Sequence, residues 1–504
     1  MLPIVPHIEM TLDAAGGRMV RRVAQRLRRT HPALRIDASI ADLQPSHLDE
    51  GRALLIDDLS GAALANLHPE HVILEQRAAL RAGDGDLVVT CTPASSIFEV
   101  YCRDHLQLGR VEWLHATSAR NPMRAVISAW TDRPVRRRIV RLLRQGKLHY
   151  FHPYVADSQA WTLAHLFRSA SRRPLKVIGP PPGLCRLVND KVWFAKLVQE
   201  LFGRPYLPRT HVAYNLAGLA KIIGHLAELS RAVVVKLPDG SGGAGNVLIP
   251  APELRGRPIG AIRSELRRRL PIGAWAVPRR MLVSCWQSDV LRTPSVQIWI
   301  PPVDQGAPVI EGIFEQLIDG PPTKFCGSRA LRIPAPVEAD VAVHSQTLAT
   351  LFQHLGYVGR CSFDLILTGR DIDRCRVEFI ECNGRWGGTS VPMTLMNRLL
   401  GDWQKRPYVS QVYRMPELTR ISGADLMAGL EGSLYDPQTG GGRIIVMDLA
   451  GVGTTGRLDV IAVGDSWRDV RRASRREIPR ILTDIVGAAK SERPDGHRYR
   501  LVHG

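Results

Sequence analysis

The segment from Val377 to Ser390 reads Val-Glu-Phe-Ile-Glu-Cys-Asn-Gly-Arg-Trp-Gly-Gly-Thr-Ser, an alternating β-rich run that breaks into a glycine turn. On a strand, side chains two apart point the same way. Glu381 and Asn383 therefore share a face and offer three side-chain oxygens at a strand end, and Arg385 continues the spacing. Hard cations such as Mg²⁺ take a few carboxylate and carbonyl oxygens together with phosphate oxygens, and a guanidinium beside them can hold the same phosphates. An ordinary strand end with a solvated acid and a glycine turn would give the same string, so other residues must decide.

Four further features bear on it. In Phe363-Asp364-Leu-Ile-Leu an acid sits in an apolar strand, where a lone buried carboxylate is costly unless paired or metal-bound. Asn189-Asp190-Lys191 opens an amphipathic helix with Phe194, Leu197, Val198 and Leu201 on one side. Asp190 or Asn189 can cap it, which places Lys191 in the first turn, where an anion is favoured; a solvated lysine is the plain alternative. Ala232-Val-Val-Val-Lys236 is a β-branched strand leading into Asp-Gly240-Ser241-Gly242-Gly243-Ala-Gly245 and then Asn246-Val-Leu-Ile-Pro250, a second short strand. A dinucleotide fingerprint needs a helix after the glycines, and Walker and kinase motifs place their lysine after them, whereas Lys236 comes before. Strand, glycine loop and strand instead suit a hairpin whose backbone N–H groups fold over phosphates, with Lys236 adding charge at its base.

The elements that must position these residues follow from the chain in order. Up to about residue 178, short apolar strands (52–56 and 86–90) alternate with helices, the pattern of an open-sheet α/β domain. Residues 179–402 hold the features above, with further strands at 280–286, 296–300, 309–316, 361–367 and 376–381 and a basic helix at 261–270. Residues 403–504 form a C-terminal α+β unit, with strands within 440–449 and 456–464 and a basic helix from Ser466 that Pro479 is expected to break.

The chain has 504 residues and a net charge of +19, from 67 basic against 48 acidic side chains. Only nine of the basic residues are lysines, and the arginine clusters are scattered: 21–29, 133–144, 263–269 and 468–480. Apolar residues recur every three or four positions in two of them (Ile139, Leu142, Leu143; Ile262, Leu266, Leu270), as in amphipathic helices with solvated basic faces. The skew reads as genome composition rather than a nucleic-acid code. Eight dispersed cysteines without a CxxC pair argue for reduced thiols in a cytoplasmic protein. No leader-like segment or run of about eighteen apolar residues is present, so no membrane partner is expected.

Taken together and in order, Lys191, Lys236, the 240–245 loop, Asp364, Glu381-x-Asn383 and Arg385 resemble the ATP-grasp superfamily over about residues 180–400. With a preceding α/β domain and an appended C-terminal unit, the layout is most similar to peptide ligases of the pheganomycin type, which attach an amino acid or analogue to the N-terminus of a peptide. The resemblance implies that Lys191 and Lys236 contact ATP and that the loop Gly240, Ser241, Gly242, Gly243, Gly245 closes over the γ-phosphate. Asp364, Glu381 and Asn383 would hold two Mg²⁺ ions, and Arg385 would neutralise the transferred phosphoryl group. The implied partners are ATP, a carboxylate substrate and an amine or peptide acceptor, joined through an acyl-phosphate. One departure stands out: the hinge that usually carries acidic residues reads Leu282-Val-Ser-Cys-Trp286. Trp286 could pack on the purine or be core, and Asp289 could meet the ribose. Trp386 and the turn Gly387-Gly388-Thr389 are expected to border the substrate. Two rivals remain at this stage: a basic nucleic-acid-binding protein and an ATP-binding regulator without turnover.

Overall fold

Runs such as Ala53–Ile56 and Leu87–Thr90 are apolar on both faces, as parallel strands covered by helices on both sides must be. In the computed structural model, which describes residues 3–35, 51–59, 69–117, 124–237, 246–270, 280–320 and 324–491, they are β1 and β2. With β3 (Glu112–His115), β4 (Tyr150–Pro153) and β5 (Lys176–Val177) they form a parallel sheet of order β3-β2-β1-β4-β5. The helix Arg133–Arg144, capped by Asp132, buries Ile139, Leu142 and Leu143 and leaves Arg137, Arg141 and Arg144 exposed, as its periodicity implies. Ser158–Ser171, capped by Asp157, adds Trp161 and Phe167 to the same core.

Two antiparallel sheets follow. The smaller has the order β6-β9-β7-β8, from β6 (Thr210–Ala213), β7 (Ala232–Lys236), β8 (Asn246–Pro250) and β9 (Met281–Cys285). Its apolar face, with Val233, Val235, Ile249 and Val283, packs under the helices Leu216–Leu229 and Ile259–Arg269. The larger comprises β10 (Val290–Arg292), β11 (Pro294–Ile300), β12 (Val309–Asp319), β13 (Lys324–Ala330), β14 (Gly359–Thr368), β15 (Arg376–Asn383), β16 (Tyr408–Arg414), β17 (Ile444–Asp448) and β18 (Arg457–Val463). Its order is β10-β14-β11-β12-β13-β16-β18-β17, and β15 pairs with β14. The pairing of β13 with β16 carries the C-terminal strands into the same sheet as β11 and β14.

Pro479 does not end its helix. Trp467–Arg472 runs through a π turn at Ala473–Glu477, closed by Ile478 N to the Ala473 carbonyl, into Ile478–Ser491, so the irregular turn lies immediately before Pro479, which has no N–H to give the ladder. All eight cysteines are free. Among the described residues, no helix is long and apolar enough to cross a membrane.

Candidate active site

The site begins with the register of β14 on β15. Asp364 lies opposite Glu381 and Ser362 opposite Asn383, so Asp364, Glu381 and Asn383 share a face. A bulge then shifts the ladder: Phe379, not Ile380, pairs with Leu365. Ser295 of β11 lies opposite Asp364 on the other side and donates its hydroxyl to Asp364 Oδ1 at 2.6 Å, while Asn383 Nδ2 donates to Oδ2 at 2.8 Å. Arg385 Nη2 donates to Asn383 Oδ1 at 2.8 Å and Nη1 to the Trp386 carbonyl at 3.0 Å. The expected spacing of Glu381, Asn383 and Arg385 thus delivers all three side chains to one place.

Both lysines arrive from other elements. Asp190 caps the helix Lys191–Phe202 by accepting from Val192 N and Trp193 N, leaving Lys191 at the first position with its Nζ 2.9 Å from Glu381 Oε2. Lys191 is only 4% exposed, so it is not a solvated surface lysine. The residue before the cap fixes the distance: Asn189 Oδ1 accepts from Gly384 N at 3.0 Å, and its Nδ2 donates to the Cys185 carbonyl at 2.7 Å. A Cβ on Gly384 would fall 2.9 Å from Asn189 Nδ2, so glycine is what lets the helix start approach the strand end. Lys236 ends β7 on the smaller sheet and is also buried. Burial pulls its pKa down to about 8, with Lys191 pulling the same way and Glu381 opposing.

The two carboxylates differ. Burial, aided by the Glu381 charge, pushes Asp364 up to about 7 against its hydrogen bonds and Arg385. Burial also opposes charge on Glu381, but Lys191, Lys236 and Arg385 together hold it below the usual carboxylate value. Two half-buried carboxylates facing each other across the strand pair form a donor set that a dication would relieve. Among the described residues, no group of three His, Cys, Asp or Glu side chains gathers to hold a metal. The protein's contribution here is two carboxylates and an amide, all hard oxygens, which fits Mg²⁺ completing its shell with water and phosphate rather than a closed protein cage.

Behind the site, Trp386 is buried between two guanidiniums, with Arg81 4.3 Å and Arg360 4.9 Å from its ring centre. Arg81 is ion-paired with Asp57 and Arg360 with Glu311, all inaccessible to solvent or nearly so. Trp386 Nε1 donates to His152 Nε2 at 3.0 Å. Burial and the two guanidiniums hold the His152 pKa well below its ordinary value, as suits a neutral ring accepting that bond. Trp386 is 2% exposed and its ring does not line the cavity in front, while its carbonyl accepts from Arg385 Nη1. Gly387, Gly388 and Thr389 do line the cavity in front, about 280 Å³, which also contains Asp364, Glu381, Asn383 and Arg385.

Residues 75–168 match the family described as the Pre ATP-grasp domain. The ADP complex of N5-carboxyaminoimidazole ribonucleotide synthetase (purK) superposes with a TM-score of 0.51 at 12% identity, covering 88% of this chain and 98% of that one. Biotin carboxylase from Campylobacter jejuni, solved as a complex with βγ-ATP, gives a TM-score of 0.50 at 12% identity over 88% and 96%. The chain carries the ATP-grasp fold. A comparison with curated protein sequences finds no match.

Within the ATP-grasp fold the remaining expected residues fare differently. Gly240, Ser241, Gly242, Gly243 and Gly245 lie outside the described residues; the strands that flank them pair as a hairpin, with Lys236 opposite Asn246. Trp286 is not core: it is 36% exposed immediately after β9, at the link between the two antiparallel sheets. Asp289 is exposed, 3.5 Å from Arg376 Nη2. Sequence reasoning missed Ser295, Arg81, Arg360, Glu311 and His152, which come from five separate stretches and carry no local signal. It also missed Glu378, a buried acid whose Oε2 has no hydrogen-bond partner and which lines a cavity of about 640 Å³ with Leu282 and Gln287. The β15 bulge is why: strict alternation sets Glu378 and Glu381 on opposite faces, whereas their partners Ile366 and Asp364 lie on one face.

Proposed function

We propose that the protein is an ATP- and Mg²⁺-dependent carboxylate-amine ligase, a cytoplasmic enzyme that joins an amino acid or analogue to an amine or peptide. The observation that carries this reading is the convergence of Asp364, Glu381, Asn383 and Arg385 from one strand pair with Lys191 and Lys236 from two other elements. Phosphoryl transfer asks for this combination of positioning and positive charge rather than an acid-base dyad.

In this scheme a substrate carboxylate oxygen attacks the γ-phosphorus of ATP, the bond to the β-phosphate oxygen breaks, and ADP leaves. The amine nitrogen then attacks the acyl carbon, inorganic phosphate departs, and the proton lost by the amine passes to phosphate or solvent. Lys191 and Lys236 bind the phosphates, and Arg385 offsets the charge on the transferred group. Asp364, Glu381 and Asn383 would hold Mg²⁺, which supplies charge neutralisation at the phosphate oxygens. On this reading residues 1–178, 179–402 and 403–504 act as the preceding domain, the catalytic grasp and a C-terminal accessory unit.

The test is ADP release from MgATP across pairs of amino acids and peptides. Release with at least one pair, lost in Glu381→Gln, is expected. No ADP with any pair, together with no ATP binding by calorimetry, refutes the proposal; tight ATP binding with no product would favour a regulator.

A further inference from the structure

The cavity in front of Arg385 runs on past the catalytic residues along one face of the larger sheet. Ser410, Val412 and Arg414 alternate along β16 and all line it, followed on β18 by Arg457 and Asp459. Charged groups at that end are engaged with one another. Arg457 donates to Asp459 twice, from Nε to Oδ1 at 2.7 Å and from Nη2 to Oδ2 at 2.9 Å, and Arg77 Nη1 lies 3.6 Å from the same Oδ2.

Between the two ends the lining is apolar. Sheet order places β12 and β13 between the catalytic strands and the charged end. There Ile318 of β12 faces Phe325 of β13 across the hairpin, and both line the cavity. Ile318 is 45% exposed, and Phe325 is half-buried. Val412 continues the apolar strip on β16, and Leu59 and Leu74 of the N-terminal part add to it. Phe325 is also tied to the catalytic turn. A Cβ built on Gly388 would stand 2.6 Å from Phe325 Cε1 and 3.0 Å from Cζ, so the ring lies against bare backbone in the turn that follows Arg385. An aromatic ring held beside the reacting end and left partly open to a cavity gains when an apolar group displaces the water on it. The cavity, about 280 Å³, is at the small end of the roughly 300–1,000 Å³ of ligand pockets, which suits one residue-sized group.

We propose that this strip takes a large apolar side chain, branched aliphatic or aromatic, carried by one of the two substrates, with Phe325 as the residue that selects it. This rests on the ligase reading and adds its substrate class. The side chain belongs either to the amino acid that supplies the carboxylate or to the amine acceptor. A methylene more or fewer in an apolar pocket changes kcat/KM by roughly 10–200-fold, so leucine or phenylalanine should exceed alanine by at least the lower figure.

The experiment measures ADP release in two arms. In the first, free alanine, glutamine, leucine and phenylalanine serve as carboxylate donors against a mixed acceptor pool. In the second, their α-amides, which have no carboxylate to activate, serve as acceptors against a mixed donor pool. In one arm leucine or phenylalanine is expected to exceed alanine and glutamine at least tenfold in kcat/KM, and the arm that discriminates identifies the substrate that carries the side chain. Phe325→Ala should shrink that preference at least fivefold, mainly through KM, and Phe325→Leu should restore most of it. No advantage for leucine or phenylalanine in either arm, or an unchanged preference in Phe325→Ala, overturns the proposal. If Phe325→Ala does not fold, Ile318→Ala, at an exposed position, decides in the same way. If no pair releases ADP, the ligase reading fails and calorimetric titration of the same compounds decides this one. Leucine or phenylalanine binding more tightly than alanine, with the difference lost in Phe325→Ala, would support it, and equal or absent binding would overturn it.

Discussion

Replacing Gly384 by alanine tests how the site is held together. The added Cβ would stand inside van der Waals contact of Val188 Cγ2 and 2.9 Å from Asn189 Nδ2, and neither neighbour is free to withdraw. Val188 is fully buried, and the Asn189 side chain is fixed at both ends, to Gly384 N and to the Cys185 carbonyl. Overpacking of this kind costs about 1–3 kcal/mol, and loss of the Asn189–Gly384 hydrogen bond adds about 1 kcal/mol. A stability loss of roughly 2–4 kcal/mol is therefore expected, read from urea denaturation. Activity should fall further than stability under native conditions. Asn189 immediately precedes the cap that places Lys191, and moving it parts Lys191 from Glu381, now 2.9 Å apart. Misplacement by about 1 Å costs on the order of a hundredfold in rate. ADP release measured well below the denaturation midpoint should drop by about that factor. Gly384 does not have a positive φ, so crowding alone is at stake. A Gly384→Ala protein with wild-type stability and wild-type ADP release would refute the account of how Lys191 meets Glu381.

Further outcomes follow from the same structure. Glu311→Ala strands the Arg360 guanidinium between Trp299 and Trp386, and removing one partner of such a buried pair should cost about 3–5 kcal/mol in urea denaturation, whereas Glu311→Ala with Arg360→Met should recover much of it. Burial pushes the Glu75 carboxyl from 4.5 up to about 8. Its folded-state value is thus raised, the native protein keeps a proton that the unfolded chain releases, and stability falls as pH rises from about 4.5 to about 8. The loss is at most roughly 5 kcal/mol at one 1.36 kcal/mol step per unit. Glu75→Gln should flatten that decline, and parallel pH profiles for the two proteins would contradict it. Trp286, exposed at the link between sheets, should change its fluorescence when ATP is added; Trp286→Ala should remove that change while leaving stability within about 0.5 kcal/mol.

Much of this site was legible because it is written locally. Glu381, Asn383 and Arg385 follow strand periodicity, Lys191 follows from a capping residue, and Lys236 from a β-branched run before glycines. The order of these features points to the ATP-grasp fold without any tertiary contact. What stayed hidden depends on tertiary placement. Asp364 could be flagged as an acid in an apolar strand, but its pairing with Ser295 belongs to β11, sixty-nine positions away. Trp386 reads as a substrate-edge aromatic next to a glycine turn, yet Arg81 and Arg360 enclose it from two other parts of the chain. Glu378 was concealed by a one-residue bulge, which no period-two reading of Arg376–Asn383 reveals.

The junction of β13 with β16 also bears on how the protein is made. Gly327, Ser328 and Arg329 pair with Gln411, Ser410 and Val409, so until those later residues leave the ribosome β13 presents an open edge. Arg457 and Asp459, on the next strand, emerge later still. The side of the cavity built by Asp364, Glu381, Asn383 and Arg385 can thus take shape on a nascent chain before the side built by Arg457 and Asp459. The cavity is therefore complete only once the last strands of the larger sheet have been added.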